Sequence, residues 1–170
     1  MIKNYAFTGY ANPAKAHTLV PISLGDFYNP TGEGLYAEAS PFEADKPRPR
    51  VLLIDVAARW CAPCQQEAKE ILPAAHAKLA PLGAEFLLDL ADGIEPGSVA
   101  TQKDLDKWTT AFAVDYPAVF DPDYQLGALF DASSFPVNIV IDTREMRIAT
   151  VVKGILDESF WTEIESLLDK

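Results

Sequence analysis

Two residues in this chain have the type and spacing to do redox chemistry. Cys61 and Cys64 are its two cysteines, and they stand in Arg59-Trp60-Cys61-Ala62-Pro63-Cys64. An apolar run, Val51–Ala57, precedes them, and a stretch with helical character follows from about Ala62 to Leu79. A Cys-x-x-Cys pair between a buried strand and a helix start is a specific arrangement. Unpaired N–H groups and the helix dipole stabilise a thiolate at Cys61, so its pKa is expected below the free-thiol value of about 8.5. Such a thiolate attacks a partner disulfide and forms a mixed disulfide. Cys64, one turn on and on the same side, then attacks Cys61 and releases the product.

Other readings of the pair stay open at this point. A structural disulfide is one, although so small a loop gives the least entropic stabilisation. A zinc site is another. It wants four N, S or O ligands, and His17 and His76 are the good remaining candidates, with His76 about three helical turns past Cys64. An inert pair is the third. Two cysteines so close together do not resemble the framework of a disulfide-stapled secreted scaffold.

The elements that must position this pair follow from pattern. Val51–Ala57 reads as a central strand buried on both faces, interrupted by Asp55. Pro63 suits the first turn of the following helix. Pro73 should kink that helix, and Pro81 and Gly83 should end it. Ala84–Leu90 is a second strand. Ser98–Val114 reads as a helix with Ser98 or Thr101 near its N-cap. Ala118–Phe120 is a short extended piece, and Tyr124–Phe130 a short helix. Val137–Asp142 and Arg147–Val152 form a hairpin, and Asp157–Leu168 is an amphipathic helix. Residues 1–50 are rich in turn signals, with short strands expected at Thr18–Leu24 and Gly34–Tyr36. The order β, α, β, α, β, β, α argues for an α/β fold with a mixed central sheet flanked by helices. One domain is expected, 51–170, with 1–50 as an irregular, partly β extension packed on it.

The chain has 170 residues, 49% of them hydrophobic and 23% charged, enough for one well-buried core. Its net charge of -11 repels phosphate backbones and anionic lipid, so nucleic-acid and lipid-surface binding are disfavoured. No run of about 18 apolar residues is present to span a bilayer, and residues 1–20 lack the layout of a secretory signal. The chain is therefore either cytosolic or begins after a removed signal or anchor.

Residues 51 to about 152 resemble thioredoxin-like proteins, and more closely the TlpA/ResA-like redoxin branch. The resemblance rests on VLLIDVAARWCAPC at 51–64, Glu67, AEFLLDL, YPAVFDPDYQLGALFDASSFPVNIVID at 116–142, and the terminal helix. It covers about two thirds of the chain and implies the thioredoxin fold and a thiol–disulfide oxidoreductase. Pro136 aligns with the family's cis-proline, which lies beside the cysteines and presents backbone to an extended substrate; a trans proline opening a strand is the alternative. Asp55 matches the buried acid of thioredoxins, able to exchange a proton with Cys64, or else it reaches water at a strand edge. Trp60, Pro63, Phe135 and Pro136 are the implied docking surface, with Trp60 also shielding the sulfurs or simply packing. Glu67 is expected on the solvated side of its helix, and Arg59 is expected to add positive potential near Cys61. Three positions depart from family habit. Ala57 replaces a large aromatic, which should open space beneath the site. Phe135 replaces Thr or Val, and Ala62 replaces Gly, Pro or Glu.

The partners implied are protein disulfides or dithiols and an upstream redox donor, with no cofactor, metal or nucleic acid, and a membrane only through a missing N-terminal tether. Family analogy places the protein outside the cytoplasm, periplasmic or membrane-tethered, the cytoplasm being the alternative. Two other functions compete. One is a thioredoxin-fold binding module with a non-catalytic pair. The other is a peroxiredoxin-like peroxidase, which would carry Thr or Ser three residues before its cysteine, where this chain has Ala58.

Overall fold

Two short strands open the chain, β1 (Ala6–Tyr10) and β2 (Val20–Ser23), followed by a 3-10 turn at Leu24–Phe27. In this computed structural model residues 1–130 and 134–170 are described. The elements that follow are β3 (Val51–Ala58), α1 (Ala62–Glu70), α2 (Leu72–Leu79), β4 (Ala84–Asp92), α3 (Gln102–Ala111), β5 (Ala118–Phe120), β6 (Val137–Asp142), β7 (Arg147–Lys153) and α4 (Glu158–Leu168). A 3-10 turn at Gln125–Leu129 stands where a short helix was expected at Tyr124–Phe130.

The strands form one seven-stranded mixed sheet in the order β2-β1-β5-β4-β3-β6-β7. The mixed sheet is the one expected from the strand and helix order, and the fold is the thioredoxin fold that the resemblance implied. β3 is parallel to β4 and antiparallel to β6. Every residue of β3 is buried, because helices cover one face of the sheet and coil covers the other. Leu53 and Ala57 point into a cluster with Cys61, Cys64, Leu72, Leu105, Phe160 and Ile164, so it draws on all four helices and the site. Leu52, Ile54 and Val56 point the other way, toward Phe7, Phe27 and Leu126. This alternation assigns each acid on the strands to a face.

The structure corrects four expectations. The helix expected over 62–79 is broken at Ile71 rather than kinked, with Pro73 in the first turn of α2, where its missing N–H goes unneeded. The helix α3 is shorter than 98–114 and starts after Thr101, whose side chain accepts from Asp104 N in a reciprocal capping box. Gly34–Tyr36 forms no strand, only a single bridge between Leu35 and Pro47. β2 pairs antiparallel with β1, a strand not expected, which also pairs antiparallel with β5. Gly9 makes that pairing possible: a Cβ there would fall 2.1 Å from the Ala118 carbonyl oxygen, so only glycine lets the strands meet. Ala57 is fully buried in the helix-side cluster.

Candidate active site

β3 and β4 run parallel to their C-terminal ends, where their register shifts between Ala57 and Ala58. The chain leaves β3 there and turns through Arg59 and Trp60 into α1. Cys61 is the N-cap of α1, in an extended conformation, and Ala62 and Pro63 occupy the exposed first turn. Cys61 and Cys64 are joined in a disulfide. The Cys61 sulfur accepts a hydrogen bond from Cys64 N at 3.1 Å, so it takes one of the helix's orphan donors. Both cysteines are buried, at 2% and 1% exposure.

Two aromatic rings stand at the mouth of the site. Trp60 is 38% exposed and meets Phe135 edge-on, with ring centroids 5.8 Å apart. Its indole N–H donates to Asp92 Oδ2 at 3.0 Å, and the same oxygen accepts from Gly97 N at 2.8 Å. The loop after β4 thereby fixes the indole. Phe135 is half-buried and touches both core clusters. The Phe135–Pro136 bond is cis, as the resemblance implied. Pro136 is buried, and its carbonyl oxygen accepts from Gly154 N at 2.9 Å, tying the segment to the end of β7. The segment 116–142 that carries part of the resemblance runs through residues 131–133, which lie outside the described residues.

Asp55 lies on β3 on the same face as Ala57, the face that meets the two sulfurs. It is buried, and neither carboxyl oxygen accepts a hydrogen bond from a described residue. Burial, and after it the nearby charge of Glu67, push its carboxyl well above the ordinary carboxylate range. It does not reach water.

Glu67 corrects the expectation of a solvated helix position. It is fully buried, with Oε2 accepting from Asn138 Nδ2 at 3.1 Å and Oε1 from Leu156 N at 3.0 Å. Burial raises its pKa against the lowering effect of these two donors. The sequence held a signal for this: Cys64, Glu67, Ala68 and Ile71 are spaced as one helix face, so a buried Cys64 brings Glu67 inward with it. Asn138 carried no comparable signal, since its place behind the disulfide depends on the register of β6 against β3.

Arg59 also departs from expectation. Its guanidinium is paired with Asp104 at 2.6 Å, so its charge is largely offset by the carboxylate at the start of α3. The two histidines are likewise engaged, His17 with Asp106 and His76 with both Glu85 and Asp115.

The arrangement supplies a disulfide at a helix N-terminus, a buried acid on the same face of the sheet, its carboxyl pushed up by burial, and an apolar mouth shaped by an aromatic pair. These are the parts that thiol–disulfide exchange needs: a stabilised thiolate, a proton source for the second sulfur and a surface on which a partner can lie.

No family model matches this chain, and no curated protein matches it in sequence. Solved structures do match in shape. One is a secreted thiol-disulfide isomerase of Corynebacterium glutamicum, with a TM-score of 0.70 at 20% identity, covering 100% of this chain and 86% of the other. A chain described as a thiol:disulfide interchange protein DsbE, of Chlorobium tepidum, gives 0.69 at 20% identity, over 98% and 94%. A DsbF homologue of Corynebacterium diphtheriae gives 0.66 at 17%, over 97% and 85%. What this chain shares with them, nearly end to end, is the thioredoxin fold.

Proposed function

We propose that this chain is a thiol–disulfide oxidoreductase of the TlpA/ResA-like branch, acting on protein disulfides or dithiols through a mixed disulfide on Cys61. The observation that carries the reading is the Cys61–Cys64 disulfide at the N-terminus of α1, with the Cys61 sulfur in the capping position. The shared fold of named thiol:disulfide interchange proteins supports it.

In the reducing half-cycle a donor thiolate attacks Cys61 Sγ. The S–S bond breaks, Cys64 leaves with the electron pair, and Asp55 gives it a proton. A second donor thiolate then frees Cys61 as the thiolate, which the helix N-terminus stabilises. Toward a client the order reverses. The Cys61 thiolate attacks the client disulfide and expels one client thiolate. Asp55, now the carboxylate, takes the Cys64 proton, and the Cys64 thiolate attacks Cys61 and expels the second. Two electrons pass from the pair to the client. Trp60, Pro63 and Phe135 form the surface on which the client lies, with the buried cis-Pro136 holding Phe135 in place behind it. Residues 1–50 act as an extension of the redox domain 51–170. The secreted isomerase among the structural neighbours supports work outside the cytoplasm.

The test is insulin reduction with a dithiol donor, run beside Cys64→Ser. Turnover above the donor background, and a mixed disulfide held on Cys61 in the variant, are expected. A variant that traps nothing while the protein still binds its partners would make this a binding module instead.

A further inference from the structure

Asn138 is an amide in a strand whose six residues are all buried. It is the direct cross-strand partner of Asp55. Its Nδ2 donates to Glu67 Oε2 at 3.1 Å, while its Oδ1 is bonded to none of the described residues. The other Glu67 oxygen accepts the Leu156 N–H at 3.0 Å. Two acids thus share the space behind the disulfide with unequal support. Among the described residues Glu67 has two donors and Asp55 has none. Donors favour the anion, and burial without donors favours the acid.

We propose that Asn138 is a positioning residue that decides which of these two buried acids carries the proton. It holds Glu67 as the anion and leaves Asp55 as the acid, with its own Oδ1 the acceptor available to that acid on the neighbouring strand. Glu67 and Asp55 would otherwise be near-equivalent carboxyls, and the proton would be divided between them. With Asn138 in place it sits on Asp55, on the strand that leads into the cysteine turn. The proposal deepens the exchange reading and takes its chemical meaning from it, but the proton arrangement is a property of the oxidised protein by itself.

Other groups face the pair. Tyr116 lies close enough to both acids for their charges to act on its phenol, and the charge of Asp55 reaches Asp89 on the far face of β4. Leu156 offers only its backbone, and β7 places Val152 opposite Asn138. The two sulfurs are held in the disulfide and do not titrate.

The experiment is a carboxyl-resolved carbon-13 NMR titration of the oxidised protein, with Asn138→Leu beside the unsubstituted chain. In the unsubstituted protein the Glu67 step is expected below the Asp55 step. In Asn138→Leu the two steps converge by about one pH unit, the lower rising and the upper falling, as befits the loss of one hydrogen bond to a charged group. Asn138→Ser shortens the side chain out of reach while keeping a small polar residue in the strand. It serves if the leucine variant does not fold, with the same direction expected. A merely structural role for Asn138 would change stability and leave both steps in place. Unmoved steps in either folded variant, or Glu67 titrating above Asp55 in the unsubstituted chain, overturn the proposal. Absence of insulin reduction would remove the exchange reading without touching this result.

Discussion

The two faces of the central sheet carry the same unusual feature at neighbouring positions. On the helix side Asp55 is buried with no hydrogen-bond donor among the described residues, next to a second acid, Glu67, that has two. On the opposite side Asp89 is buried with no donor among the described residues, next to a second acid, Asp121, that accepts from Leu126 N and Gln125 Nε2. Asp89 aligns across the strands with Val56 and Val119, and Asp55 with Leu88 and Asn138. Burial raises both unbonded carboxyls well above the usual range. The environments differ in what lies beyond. Asp55 shares its face with the disulfide, whereas Asp89 shares its face with the 3-10 turn Gln125–Leu129 and Tyr124, whose buried hydroxyl is also without a partner among the described residues. A perturbed carboxyl is therefore not a catalytic sign by itself. What separates the two is the presence of a second reactive group on the same face.

The largest test of this difference is kinetic. Asp55→Asn should slow resolution of a mixed disulfide on Cys61 by on the order of a hundredfold, the typical scale for losing a positioned acid–base group. Asp89→Asn should leave that rate unchanged within experimental error. Stopped-flow decay of a preformed mixed disulfide measures both, and equal slowing in the two variants would erase the distinction between the faces.

A second test reads stability, where the two acids should behave alike. Each has a folded pKa above its unfolded value of about 3.9. The stability each contributes is whole below that value and is lost as pH rises through the folded value. Between the two values each acid therefore removes about 1.4 kcal/mol per pH unit. Urea unfolding at a series of pH values from 5 to 8 should show stability falling with pH, with a shallower slope in either asparagine variant. A flat slope in the unsubstituted protein would mean that the buried acids are charged without cost.

The smallest effect concerns the mouth. In the reduced protein Cys61 should alkylate faster than Cys64. Phe135→Ala should raise the Cys61 rate by about 2- to 10-fold, since an aromatic pair is worth about 0.5–1.5 kcal/mol and 1.4 kcal/mol is tenfold. An unchanged Cys61 rate would mean that the Trp60–Phe135 pair does not cover the sulfur.

Local signals in the chain carried much of this. The apolar run at 51–57 and the proline in the first turn after Cys61 announced the cysteine turn, because each depends on residues near in sequence, whereas the place of Phe135-Pro136 beside it came only with the family resemblance. What depended on register stayed hidden. Asn138 looked like one polar residue in a strand, and Asp89 like one acid in AEFLLDL. Only the pairing of β6 and β4 with β3 reveals that they lie in adjacent rows on opposite faces. Glu67 was misjudged because the residues around it in α1 are polar, although its spacing from Cys64 pointed inward. The strand β1 was missed because Thr8 and Gly9 weaken its pattern, and the close approach that Gly9 permits becomes visible only with β5 in place.

The hydrogen bonds to Glu67 span 71 residues to Asn138 and 89 residues to Leu156. Joining such distant stretches requires most of the chain to be ordered first. Before that, Cys61 and Cys64 form an ordinary dithiol, with no capped helix and no buried acids behind it. A nascent or unfolded copy would thus meet other proteins as a plain pair of thiols, and the special reactivity of Cys61 would arise with the last long-range contacts rather than with the local turn. Reactivity of Cys61 should then follow the same denaturant midpoint as the helical signal, which makes the thiol a reporter of whether the whole molecule has closed.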